Sequence, residues 1–161
     1  MDVIQSVFSK LLYSELGIVF PKLRSVQYAV IKGEPLSNLI YGRPYMRKST
    51  DVDILIDKHD LDIVKNILQD AGFYSKKINR EDRIVSILYS HQTPPFIKKT
   101  NIANLTVDLN FDLFWGEYRG KRIDINKFLN DSIEMSICGY NVKTLSPIKA
   151  AIQLILHHYK E

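Results

Sequence analysis

The chain of 161 residues is long enough for one hydrophobic core and too short for two of ordinary size. Its 45% apolar and 25% charged residues are those of a folded globular protein, which excludes disordered, collagenous and coiled-coil classes. No apolar run reaches the roughly 18 residues of a membrane span, Asp2 and Gln5 stand where a signal peptide carries basic residues, and 22 basic against 18 acidic residues leave a net charge of +4 that suits a polyanionic ligand without requiring one. A cytoplasmic protein is the expectation. The single cysteine, Cys138, permits neither an internal disulfide nor a multi-cysteine zinc site, so a metal would be held mainly by oxygen.

Val3, Val7, Phe8, Leu11, Leu12 and Leu16 recur at helical spacing and predict an amphipathic helix over residues 3–16, with Gly17 as its stop. After Pro21, the run Val26, Tyr28, Ala29, Val30, Ile31 has strand length and ends at Lys32-Gly33-Glu34, and Pro35 opens a helix through about Ile40. A polar loop from Gly42 to Thr50 precedes a strand in which Val52, Ile54 and Ile56 alternate with Asp51, Asp53 and Asp57. Asp60 is placed to cap a helix carrying Leu61, Val64, Ile67 and Leu68, closed by Gly72. Residues 73–92 read as strand or helix with equal ease. Leu105, Val107, Leu109, Phe111 and Leu113 then alternate with Thr106, Asp108, Asn110 and Asp112, the cleanest two-residue period in the chain. A short helix near residues 126–129, a hairpin over 133–145 and a last helix with Ser146 as cap and Pro147 in its first turn complete the pattern. We expect one domain over residues 1–145, with 146–161 as the start of a C-terminal helix that begins a further helical region.

Asp51 and Asp53 lie two residues apart on a strand, so both carboxylates face the same way and can converge on a hard cation. The spacing alone is common, since Asp60 and Asp62 repeat it. Asp108 adds weight, because if its strand neighbours the first, three carboxylates gather on one sheet face and repel each other unless a cation such as Mg²⁺ neutralises them. Solvated carboxylates on an exposed face are the competing reading. Asp112 shares Asp108's pattern but lies about 13 Å further along, too far for both to reach one metal pair. The Gly33 turn between strand and helix could face a phosphate, and Arg43, Arg47 and Lys48 could hold triphosphate oxygens. His157 and His158 read as surface or dipole-compensating residues, and His59 and His91 have no patterned partner. Lys76, Lys77, Arg80 and Arg83 beside Tyr74 fit a solvated face better than a nucleic-acid patch, Phe114 and Trp115 fit packing, and Cys138 fits a small buried hydrophobe.

Together, "VIKGEPLSNLIYGRPYMRKSTDVDILI" and the later "LTVDLNFDLFW" resemble the nucleotidyltransferase fold of the DNA polymerase beta superfamily, and most closely its bacterial branch with a Lys-Gly turn, an R-x-S-x-D-x-D segment and a later V-D-L strand. The resemblance covers roughly residues 26–115 and implies an α/β (α+β) architecture, a mixed β-sheet with helices packed on one face. It assigns Asp51, Asp53 and Asp108 as catalytic metal ligands and Lys32, Gly33, Arg47 and Ser49 to the nucleotide. It implies two Mg²⁺ ions, with Mn²⁺ as a substitute, a nucleoside triphosphate with ATP first, and transfer of a nucleoside monophosphate to the hydroxyl of a small molecule, peptide or protein. Neither a membrane nor nucleic acid is the expected partner. Glu34 departs from the Gly-Ser or Gly-Gly turn of the superfamily and Asn110 stands where the branch often has histidine. A carboxylate at position 34 is expected to repel the triphosphate, which favours the alternative of a catalytically weak nucleotide-binding or interaction module on the same fold.

Overall fold

The computed structural model describes residues 3–76, 90–113 and 123–158. In chain order these form α1 (Val3–Leu16), β1 (Tyr28–Val30), α2 (Glu34–Tyr41), β2 (Asp51–Ile56), α3 (Leu61–Asp70), β3 (Tyr74–Ser75), β4 (Phe96–Lys99), β5 (Asn104–Asn110), α4 (Ile125–Leu129), β6 (Ile133–Ile137), β7 (Tyr140–Thr144) and α5 (Pro147–His158). The seven strands make one mixed sheet in the order β3-β4-β5-β2-β1-β7-β6. β2 runs antiparallel to β1 and parallel to β5. Its alternation decides which face each side chain serves. Val52, Ile54 and Ile56, with Leu105, Val107 and Leu109 of β5, pack beneath Leu12, Tyr13 and Leu16 of α1 and Val64 and Leu68 of α3 in the larger core.

The opposite face carries Asp51 and Asp53 at the start of β2 and Leu55 further on. Leu55 joins Ala29, Ile31, Ile125, Phe128, Leu129 and Ala150 in a second, smaller cluster, so α4 and α5 cover that end of the acidic face. The mixed α/β architecture expected from the pattern is the one found, and α4 and α5 add a partial second layer to it.

Local details depart from the sequence reading. In the first turns of α1 the buried residues are Gln5, Ser6 and Ser9, whereas Val3 and Val7 are 70% and 55% exposed. That part of the helix lies against the polar turn at Glu34 and Ser49, where hydrogen-bonding groups fit better than aliphatic ones. Asp60 makes no side-chain capping bond. Asp57 instead accepts from the His59 N–H at 2.8 Å and organises a short 3-10 turn ahead of α3. α1 ends at Leu16 with Gly17 next, as expected, and Gly17 has a further role, since an added Cβ would stand 2.4 Å from Cε1 of Tyr140. β4 has no counterpart in the pattern, and β5 stops at Asn110 rather than running on to Leu113. Cys138, at φ 54°, sits with Gly139 in the β6–β7 turn, half-buried against the core edge. Phe114, Trp115, Lys77, Arg80 and Arg83 lie outside the described residues.

Candidate active site

The parallel pairing of β2 with β5 sets Asp53 directly opposite Asp108 and Asp51 opposite Thr106. Three carboxylates from two neighbouring strands therefore share one face. Asp53 is buried, and its Oδ1 receives the Lys32 ammonium at 3.3 Å and the Asn110 amide at 3.1 Å. Lys32 follows β1, whose last residues are registered on β2 through the Ile31 N–H to Asp53 carbonyl bond of 3.0 Å. Asn110 thus has a defined task, donating to the acid that pairs with Lys32.

One lysine does not balance three acids. Burial, then the Asp53 and Asp51 charges, push the Asp108 carboxyl up to about 6, with Lys32 pulling the other way. Asp51 is also raised, first by burial and then by Asp53, against the opposing pull of Lys32 and of the Ser49 hydroxyl. Among the described residues no three His, Cys, Asp or Glu side chains converge closely enough to form a ready-made metal cage. The donor chemistry, hard carboxylate oxygens crowded on one face, fits a hard divalent cation.

The opposite wall is built from the turn and loop. Gly33 takes φ 64° and ψ −130°, and its carbonyl accepts the Ser37 N–H at 3.0 Å to begin α2. A Cβ there would meet the Ser49 hydroxyl oxygen at 3.0 Å, so glycine is required both by the positive φ and by this approach. The Ser37 hydroxyl, buried under the loop, donates to the Arg43 carbonyl at 2.8 Å and accepts from Met46 N–H at 3.1 Å, while Gln5 holds the Ser49 carbonyl at 2.7 Å. The Ser49 hydroxyl donates to the Asp51 carbonyl at 2.9 Å. Between these groups lies a cleft of about 210 Å³ bounded by Lys32, Gly33, Arg47, Ser49, Asp51 and Asp53. Asp108 adjoins it through Asp53. A second cleft of about 250 Å³, beside Tyr28 and Tyr140, contains none of the three aspartates.

Two sequence expectations are corrected here. Glu34 does not line the cleft: it is 1% exposed, and its Oε1 accepts the Ser9 hydroxyl of α1 at 2.5 Å, so its carboxylate does not meet a bound phosphate directly. Asp112 is not on the strand with Asp108, because β5 ends at Asn110. It is buried beyond the end of β5, with its carboxylate taken by the Leu113 N–H at 2.7 Å. A residue read from the sequence as a surface position also lies at the site. His157 of α5 lines the cleft. The signal was present, because His157 continues the stripe of Ala150 and Gln153, the buried residues of α5, at helical spacing. His59 is elsewhere, exposed and 2.6 Å from Asp57.

A mixed sheet with paired aspartates on one strand, a third on its parallel neighbour and a glycine turn alongside defines a nucleotidyltransferase-like protein. The family described as uncharacterised nucleotidyltransferase matches residues 9–161, and the chain belongs to it. Among solved structures, the chain is similar to a Thermotoga maritima protein assigned as a nucleotidyltransferase, at 16% identity and a TM-score of 0.53, covering 94% of this chain and 83% of that one. It is also similar to ANT(2″)-Ia in complex with adenylyl-2″-tobramycin, at 12% identity and a TM-score of 0.50, covering 92% of this chain and 76% of that one. At these identities the likeness concerns the fold. A search of curated proteins gave no significant match. No helix among the described residues is long and apolar enough to cross a membrane.

Proposed function

We propose that this protein transfers a nucleoside monophosphate from a nucleoside triphosphate, ATP first, to an acceptor hydroxyl on a small molecule, peptide or protein. The observation that carries the reading is the β2–β5 register, which stands Asp53 beside Asp108 at a cleft whose other wall offers Lys32, Arg47 and the Gly33 turn. Asp51, Asp53 and Asp108 would hold the divalent cations, two Mg²⁺ ions or Mn²⁺ in their place, which supply charge neutralisation at the triphosphate and acidify the acceptor hydroxyl. Lys32, Arg47, Ser49 and the Gly33 turn grip the phosphate oxygens and aim the α-phosphorus. Asp108, on the strand beside Asp53, would also take the acceptor's proton. As that proton leaves, the acceptor oxygen bonds to the α-phosphorus, and the bond from the α-phosphorus to the bridging oxygen breaks to release pyrophosphate. Asn110 keeps Asp53 fixed throughout by its hydrogen bond. The ANT(2″)-Ia structure holds adenylyl-2″-tobramycin, an adenylylated acceptor of the class proposed. The cytoplasm, where nucleoside triphosphates are held, is the compartment this reading expects.

The test is incubation with ATP labelled at the α-phosphate, Mg²⁺ and cell extract. A labelled acceptor that disappears with Asp108→Asn supports the enzyme. A nucleotide-binding module on the same fold would give a rise in melting temperature with Mg²⁺ and ATP but no labelled acceptor.

A further inference from the structure

Glu34 is a costly residue where it stands. It is 1% exposed, one oxygen accepts from Ser9, and among the described residues the other carboxylate oxygen accepts no hydrogen bond. Burial raises its carboxyl above the ordinary range, the Ser9 bond opposing this in part. A buried polar group with half its capacity unmet destabilises a fold, so an apolar residue would be the cheaper choice if packing were all that position 34 did. The surroundings show what the carboxyl is attached to. Ser9, wholly buried on α1, donates to Glu34, the first residue after the Gly33 turn. Gln5, one helical turn earlier, donates to the Ser9 hydroxyl at 3.2 Å and, through the same amide nitrogen, to the Ser49 carbonyl at 2.7 Å. Ser49 in turn sets the Asp51 carbonyl and closes on Gly33.

The chain of contacts runs from the turn, through α1, to the loop end that delivers Asp51. We propose that Glu34, Ser9 and Gln5 are positioning residues that fix the spacing between the Gly33 turn and Ser49, and so the width of the phosphate side of the cleft. The proposal rests on the nucleotidyltransferase reading and deepens it. None of the three side chains is among those bounding the cleft, so their effect passes through Gly33 and Ser49. It also accounts for the inversion of α1, in which polar residues are buried and Val3 and Val7 are exposed.

The experiment measures the Kd of the full chain for ATP in the presence of Mg²⁺ by calorimetry, alongside the melting temperature. Gln5→Leu and Ser9→Ala should each raise the Kd about tenfold, as expected when one hydrogen bond that holds a binding group is lost. The double variant should also show about tenfold rather than a hundredfold, because both act on one strut. Glu34→Gln, which keeps an acceptor for Ser9, should stay close to the wild-type Kd, and Val7→Ala, on the exposed side of the same helix, should match it. Should Ser9→Ala fail to fold, Gln5→Leu against Glu34→Gln still decides the matter. Lowered melting temperatures with unchanged Kd for the folded protein would reduce the network to a structural role and overturn the proposal. An absence of ATP binding by the wild type would instead overturn the nucleotide reading on which it stands.

Discussion

Asp108→Asn should make the protein more stable in the absence of divalent cation and nucleotide. The wild-type carboxyl is held at about 6 against an ordinary value of 3.8, by burial first and by Asp53 and Asp51 after it. Carried through in full, that displacement corresponds to about 3 kcal/mol of unfavourable free energy for the ionised group. Asp108 is only partly buried, so solvent screening reduces the cost to roughly 1–2 kcal/mol. In a chain of this size, roughly 2–4 °C accompany each kcal/mol, so the melting temperature at pH 8 should rise by about 2–8 °C. The pH dependence fixes the cause. Because the folded value lies above the unfolded one, the wild type is free of the penalty below about pH 4 and acquires it as pH rises through about 6. The advantage of the asparagine variant should therefore be present at pH 8 and vanish near pH 3.5 to 4, read by thermal melts in buffers containing chelator. Equal melting temperatures at pH 8, or a gain that persists unchanged at pH 4, would refute the picture of three carboxylates crowding one face.

Asp53→Ala should destabilise by about 1–2 kcal/mol, because it strips the acceptor from both Lys32 and Asn110, and should also abolish the rise in melting temperature that Mg²⁺ and ATP produce together. Asp51→Asn should lose that ligand-dependent rise too, and without ligand at pH 8 it should be no less stable than the wild type and melt slightly higher, since burial and Asp53 both disfavour the charge it removes. Gly33→Ala should cost about 1–2 kcal/mol and weaken ATP binding by calorimetry, because φ 64° and the 3.0 Å approach to Ser49 both resist a methyl group. Gly17→Ala should lower stability by about 1–3 kcal/mol through its clash with the Tyr140 ring, and should cost little in a Tyr140→Ala background.

How far the sequence could be read depends on where a side chain's neighbours come from. β2 and β5 were legible because a strand buried on one face must alternate, but that they lie side by side, parallel and with Asp53 against Asp108, is set by the sheet and not by either strand's own pattern. Alternation put each aspartate on the polar face of its strand, and the pairing brought the three together. β4 escaped notice because Lys98 sits in it with its ammonium on Glu15 at 2.6 Å and on the Ala71 carbonyl at 2.8 Å, contacts to α1 and α3 that no local pattern announces. The inward turn of Glu34 was hidden likewise, since its partner Ser9 lies 25 residues away on an element whose apolar stripe pointed elsewhere. His157 belonged to a readable helical stripe, but what that stripe faces depends on where α5 docks. Composition and periodicity report burial well and say little about which polar groups meet.

The place of β2 in the sheet has a dynamic consequence. As the fourth of seven strands it is hydrogen-bonded on both edges, by β1 and by β5, and its apolar side chains are among the least exposed in the chain. Backbone amides in such a strand open to solvent only with the unfolding of the whole domain, so they should be among the last to take up deuterium. The 42–48 stretch ahead of Ser49 is fastened mainly by side-chain bonds from Ser37 and should exchange earlier. The cleft thus has one wall as rigid as the fold itself, carrying Asp51 and Asp53, and a facing wall pinned at Ser49 by Gln5, so that adjustment to a bound polyanion should be confined to the Arg47 side chain while the acids stay still.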